Sequence, residues 1–175
     1  MASTDISRAV NPRRRRREGM ESPRAKSSPF FNRMPPSAQR HVFIRQSVLF
    51  KNRDAPVNPR KVEMVDPDTI TKEIKQLVLD MGADVAGIAE YLPELTFEGS
   101  EKLRHKSIVV FGMKMKFDYM VDIGPKSQSE VHRVYYELDD IGVRLSHHIG
   151  AYGYKARTQP NIGDLPLPAY GWLAG

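Results

Sequence analysis

Lys106-Ser-Ile-Val-Val-Phe-Gly-Met113 is the stretch on which the fold turns. Its β-branched and aromatic residues, bounded by charge, have the composition of a strand. The apolar run is nearly continuous instead of alternating, which predicts a strand covered on both faces. Upstream, Asp66 before Pro67 suits an N-cap followed by proline at the first helical position. Ile70, Ile74, Leu77, Val78 and Met81 then recur at helical spacing, and Gly82 provides the stop. Ala83–Ala89 is small and apolar, a second buried strand, and Leu92–Glu98 reads as a loop.

Downstream, Lys116–Ser127 reads as a loop closing on the turn signal Gly124-Pro125. A long helix is expected from about Ser129 to Ala151. Val131, Val134, Tyr135, Leu138, Ile141, Leu145, His148 and Ile149 line one broad face of it. Tyr154–Thr158 is a further short strand. Gln159–Gly175, with three prolines and three glycines, should be irregular. The order helix, strand, loop, strand, helix, strand predicts a two-layer α+β arrangement. Arg40–Phe50 alternates enough, through Val42, Ile44, Val48 and Phe50, for a short strand or a docking arm.

Charge divides the 175-residue chain in two. Residues 1–60 hold fourteen Lys/Arg against four Asp/Glu, whereas residues 61–175 hold thirteen against seventeen. The net charge of +6 therefore belongs to a basic, mostly disordered leader (1–60), rich in Arg, Ser and Pro, and not to the folded part (61–175). The Arg13–Arg17 run has no interleaved aromatics and no nucleic-acid fold behind it, so nucleic acid is not the expected partner. Nor does an apolar segment follow those arginines, as an export signal requires, and no stretch approaches the ~20 apolar residues of a membrane span. A cytoplasmic protein without membrane contact is the expectation. There is no cysteine, which excludes disulfides, thiolate metal sites and a cysteine-ligated cluster within this chain. A Gly-x-Gly-x-x-Gly after a strand and a P-loop are also lacking.

Four pieces in order resemble the reductive dehalogenase and epoxyqueuosine reductase superfamily. The capped helix leading into Gly82-Ala83-Asp84-Val85-Ala86-Gly87-Ile88 is similar to the family's entry segment. Ile108-Val-Val-Phe-Gly-Met-Lys-Met-Lys-Phe117-Asp118-Tyr119-Met120, followed by Gly124-Pro125, is similar to the dehalogenase pattern of apolar strand, Met-x-x-Asp-Tyr, then proline. The helix with Tyr135-Tyr136 closes in Ile149-Gly-Ala-Tyr-Gly153-Tyr154-Lys155-Ala156, like the family's helix and Leu-Gly-Tyr-x-Ala. Leu165-Pro166-Leu167-Pro168-Ala169 before Ala174-Gly175 is similar to the stretch that runs on toward the ferredoxin-like cysteines. The likeness spans residues from about 66 to 175.

The resemblance implies the amino-terminal half of a nitroreductase-like corrinoid-binding domain, incomplete and stopping before the iron–sulfur part. The cofactor would be cobalamin or a related corrinoid, with two 4Fe-4S clusters only in the missing carboxy-terminal part. The partners implied are an organohalide substrate and an electron donor of the ferredoxin- or flavodoxin-type reductase kind. The fragment alone would be inactive.

Tyr119, on the loop after the best-defined strand, is the candidate proton donor. A neutral phenol can give up a proton when a nearby cation stabilises the phenolate. In the family that cation is an arginine or lysine; Lys114 and Lys116 are the local substitutes. Lys155, Arg157, Asn161 and Gly163 form a candidate cofactor-contacting loop. Arg157 could pair with the phosphate of a corrinoid nucleotide tail, and Asn161 with Gly163 could allow close backbone approach. Trp172, with Tyr170, is a candidate to line the apolar ring, core packing being the alternative. Asp118 keeps open an epoxyqueuosine reductase acting on transfer RNA, and a non-enzymatic basic binding fragment is a third reading. Adjacent His147 and His148 point about 100° apart on a helix and cannot share one metal. Asp139-Asp140 is expected on the solvent face.

Overall fold

The computed structural model describes residues 34–63, 66–100, 102–121, 124–161 and 163–175. The Arg13–Arg17 run and the leader up to residue 33 lie outside the described residues. The elements are α1 (Pro36–Ser47), a 3-10 turn (Leu49–Lys51), α2 (Pro67–Asp80), β1 (Val85–Glu90), a 3-10 turn (Pro93–Leu95), β2 (Ser107–Gly112), α3 (Phe117–Met120), α4 (Pro125–Ala151) and α5 (Leu167–Leu173). The fold is α+β, a helical layer against a two-stranded sheet.

Local chemistry accounts for the first elements. The Asp66 carboxylate accepts from the backbone N–H groups of Asp68 and Thr69 at 3.2 and 3.1 Å, satisfying two donors that a helix start leaves free. Pro67 occupies the first turn of α2. Beyond it, β1 and β2 pair antiparallel, from Val85 opposite Gly112 to Glu90 opposite Ser107. Side chains alternate across that hairpin. Ala86, Val109 and Phe111 pack on Val78, Ile141 and Leu145 of α2 and α4. Ala89, Ile108 and Val110 pack on Leu95, Leu165 and Tyr170 under α5. Each face of β2 meets its own apolar cluster, so the strand reads as continuously apolar. Gly87 is required by this packing, because a Cβ there would lie 2.7 Å from both Cβ and O of Ala174.

Several expectations change. Arg40–Phe50 is not a strand: α1 is helical through Ser47 and a 3-10 turn follows. Its alternation misled because α1 has almost no amphipathic pattern of its own, and its fold comes from lying along α4. From Pro36 onward, the segment assigned to the leader belongs to this packed structure. Residues 53–62 then run back along the end of α4 and the segment after it, with Asn58 N donating to Gly150 O at 2.9 Å and Thr158 N to Arg53 O at 2.9 Å.

The long helix begins at Pro125, earlier than Ser129, and Gly124-Pro125 starts it instead of closing a loop. The Ser127 hydroxyl accepts from Gly124 N at 3.0 Å, capping that start. The expected Lys116–Ser127 loop contains the single turn α3. Tyr154–Thr158 is reduced to one bridge, Asp54 with Arg157. Gln159–Gly175 is not irregular throughout: Leu167–Leu173 is helical, with proline tolerated in its first turn.

Candidate functional site

The turn that carries Tyr119 is held by a buried carboxylate. Glu130, on the inner side of α4 and 2 % exposed, accepts from Lys116 N at 2.8 Å, just where α3 begins. Arg133 grips the same carboxylate through Nε and Nη2 at 2.8 and 2.6 Å and reaches Glu137 at 2.7 Å. These bonds from Arg133 pull the Glu130 carboxyl down to about 2 and raise the Arg133 guanidinium further above its ordinary range. Asp84 anchors the other end of the segment by accepting from Lys114 N at 2.6 Å. On this frame the Lys116 ammonium sits 5.4 Å from the centre of the Tyr119 ring. Tyr119 is 41 % exposed, and Phe117, Met120 and Val121 beside it also face outward.

The second group follows α4. Lys155 is exposed, whereas Arg157 is mostly buried and lies 3.2 Å from Asp54. That contact is off the N–H axis, for Arg157 Nε has no hydrogen-bond partner among the described residues. His105 Nδ1, Thr158 Oγ1 and Gln159 Nε2 are buried and unpartnered in the same sense. Burial pushes His105 below its ordinary value, the nearby Arg157 and Lys155 charges adding to this and Asp54 opposing it. The methyl of Thr158 packs against Gly142 of α4, where a Cβ would come within 2.6 Å of it.

Asn161 and Gly163 are engaged within the chain. Asn161 Oδ1 accepts from Arg45 Nη2 at 2.9 Å. Gly163 closes a turn on Pro160 O at 2.7 Å, and a Cβ there would meet Gln159 Oε1 at 2.5 Å. Tyr170 is core: its hydroxyl donates to Leu92 O and accepts from Leu92 N, both at 3.1 Å. Trp172, in contrast, is 61 % exposed. It sits on α5, which covers the face of the hairpin opposite α2 and α4.

The structure therefore does not gather the candidate residues into one contact cluster. Tyr119 is tied to α4 at Glu130 and the Arg157–Gln159 strip at Gly142. Twelve residues of helix at 1.5 Å each separate those anchors by about 18 Å. Sequence reasoning missed Glu130 and Arg45: Glu130 is buried on the inner side of α4 beneath Lys116 N, and Arg45 is buried by Asp139, 94 positions away. Asp139 was misplaced on the solvent face. It is buried and paired with Arg45 at 2.5 Å, as the adjacent Asp140 is not. Tyr135 and Tyr136 also turn toward α1, Tyr135 under the Arg45 guanidinium at 5.1 Å and Tyr136 stacked on His41 at 5.1 Å.

This arrangement of hairpin, long helix and closing turn has solved counterparts. The chain superposes on a variant of the catabolic reductive dehalogenase NpRdhA with a TM-score of 0.69 and 21 % identity, over 79 % of this chain and 22 % of that one. The fold is that of part of a reductive dehalogenase. NpRdhA in complex with 3-bromo-4-hydroxybenzoic acid matches with a TM-score of 0.63 and 22 % identity, over 73 % of this chain and 20 % of that chain. A reductive dehalogenase described with a mechanism for B12-dependent dehalogenation matches with a TM-score of 0.61 and 24 % identity, over 73 % of this chain and 20 % of the other. This chain thus spans about a fifth of the length of the reductive dehalogenases it resembles. No protein-family model and no curated protein sequence matches it. Among the described residues, no helix is long and apolar enough to cross a membrane.

Proposed function

We propose that this chain is part of the corrinoid cradle of a reductive dehalogenase, which removes halide from an organohalide with Tyr119 as proton donor. The observation that carries the reading is the shared fold, at TM-scores of 0.61 to 0.69, with proteins described as reductive dehalogenases, one of them as B12-dependent.

The residues fit such a cofactor in kind. A corrinoid combines a broad apolar ring with a phosphate-bearing tail. This chain offers outward-facing Phe117, Tyr119, Met120 and Val121 at one place and unmatched buried donors on Arg157 and Gln159 at another. The distance of about 18 Å between their anchors on α4 requires an extended ligand if one molecule is to touch both. Tyr119 and its neighbours would face the ring, and Arg157 with Lys155 the tail. Trp172 could contact the same cofactor only at a margin reaching around the hairpin. A bound corrinoid supplies reducing power at its cobalt to the carbon–halogen bond.

The residues of the chain supply position and a proton. Glu130 and Asp84 fix both ends of the segment 114–116, so the turn bearing Tyr119 is aimed by rigid elements. The Tyr119 hydroxyl gives its proton to the carbon that loses halide. The Lys116 ammonium, 5.4 Å from the ring centre, is the cation beside this donor. Clusters of the 4Fe-4S type would have to be held by other polypeptide, since this sequence has no cysteine. A ferredoxin- or flavodoxin-type reductase would serve as the electron source.

Trp172 is the single tryptophan and is exposed, so its fluorescence reports on cofactor binding. Titration of the full chain with cobalamin should give a saturable change in corrinoid absorbance together with quenching absent from Trp172→Phe. An unchanged corrinoid spectrum at millimolar protein would reject the cradle reading.

A further inference from the structure

We propose that the contact between α1 and α4 is an acid-sensitive latch, released when His41 and His132 take up protons. The contact is polar along most of its length. Ala38 and Arg45 are the buried residues of α1, so few apolar side chains hold this helix down. Ser37 Oγ meets Ser129 Oγ at 2.9 Å at one end, and Arg45 Nε meets Asp139 at 2.5 Å at the other. Between them the His41 ring stacks on Tyr136 at 5.1 Å and 14°. Ser37, His41 and Arg45 recur every fourth residue, which places them on one stripe of α1. On α4, His132 falls between Ser129 and Tyr136 at spacings of three and four, on the stripe that α1 covers. Its ring meets the edge of Tyr135 at 6.2 Å, and Tyr135 lies under the Arg45 guanidinium. The latch thus holds one imidazole from each helix.

Neither imidazole is prepared for charge. Nδ1 of His41 and Nδ1 of His132 are both buried without a hydrogen-bond partner among the described residues. A neutral imidazole can leave that nitrogen unprotonated. An imidazolium carries N–H on both nitrogens and would bury a charged donor with no acceptor. Burial holds both histidines below their ordinary value of 6.5. Around His41, Arg40 and Arg133 add to this and Glu137 opposes it; around His132, Arg45 and His41 add to it. Once α1 lifts, both rings reach water and regain their ordinary proton affinity. The histidine contribution to docking is therefore complete above about pH 6.5 and is lost as pH falls below it. Asp139, pushed up by burial with Arg45 opposing, binds its proton more readily when docked and so works against release. Glu130 titrates far lower, near 2. Because Arg45 Nη2 also holds Asn161 Oδ1 at 2.9 Å, release of α1 frees the segment that joins α4 to α5. The latch needs no bound cofactor.

Hydrogen exchange on the full chain, read as protection factors, tests this. Between pH 7.5 and pH 5.5, protection of residues 40–47 should fall about threefold or more relative to α2. The ceiling is about tenfold for each histidine one unit below its ordinary value. His41→Phe combined with His132→Phe keeps two rings and removes both titrating groups, so its α1 protection should be equal at the two pH values. His41→Gln combined with His132→Gln is a second non-titrating variant, and circular dichroism checks that each one folds. His105, also lowered by burial, lies outside both helices, so His105→Gln should keep the wild-type response. An α1 protection ratio that does not change with pH overturns the latch. So does an acid loss that persists in the folded non-titrating variants, or one shared equally by α2.

Discussion

Arg45 Nε lies 2.5 Å from Asp139 Oδ2, and both side chains are only 8 % exposed. The pair joins α1 to the middle of α4 across 94 positions of sequence. The same guanidinium reaches Asn161 at 2.9 Å and lies over the rings of Tyr135 and Phe50 at 5.1 and 5.5 Å. The Arg45 head group is thus bonded through Nε and Nη2 and faced by two aromatic rings. Burial pushes the Asp139 carboxyl up, and the adjacent Arg45 opposes that rise.

Breaking this pair from one side leaves a buried charge without compensation. Arg45→Met should cost about 3–5 kcal/mol, read from urea midpoints. The double variant Arg45→Met with Asp139→Leu should recover most of that loss, because apolar replacement of a buried pair is often neutral. If the single variant matches the wild type, the contact between α1 and α4 contributes nothing to stability.

Glu130 makes stability sensitive to acid. Its carboxyl is held at about 2 in the folded chain against an ordinary value of 4.5. As pH falls through that window the unfolded chain takes up the proton first, so the contribution is complete above about pH 4.5 and is lost toward pH 2. Glu130→Gln should be less stable than the wild type at pH 6, and the two should converge as the pH approaches 2. Urea midpoints at three pH values suffice to check this. Parallel curves throughout would contradict the assigned role.

Two glycines make opposite predictions. A Cβ at Gly150 collides with the carbonyl of Pro56 and the Cβ of Ala55, whereas one at Gly171 meets nothing within 4 Å. Gly150→Ala should destabilise by about 1–3 kcal/mol despite the better helix propensity of alanine. Gly171→Ala on α5 should stabilise by up to about 1 kcal/mol. Thermal unfolding of both variants tests whether residues 55–56 truly pack on the end of α4.

Tyr119 and Asp118 are adjacent, and the proposed chemistry needs only the first. In the cofactor-loaded protein that carries this chain, Tyr119→Phe should lower dehalogenation roughly a hundredfold or more while corrinoid absorbance is retained. Asp118→Asn should leave the rate within a few-fold. The reverse pattern would transfer the proton to the aspartate.

Much of the scaffold was legible locally. The Asp66 cap, the apolar period of α2, the strand at Ile108–Phe111 and the long helix each depend on residues near in sequence. Periodicity and capping report such elements directly. The start of α4 was misread as the close of a loop, although glycine before proline suits a helix N-terminus as well as a turn. Tyr119 follows β2 as read, but its turn is a short helix whose start is held by one bond from Lys116 N to the Glu130 carboxylate, which no local pattern announces.

What the sequence by itself determined is the capped α2, the hairpin strands and the apolar face of α4, because short-range sterics and spacing suffice for them. Only the tertiary structure decided that residues 36–62 pack on α4 and that Asp139 is buried beside Arg45. The physical reason is that burying a charge or a polar donor depends on what arrives from elsewhere in the chain. Neighbours in sequence carry no record of that partner.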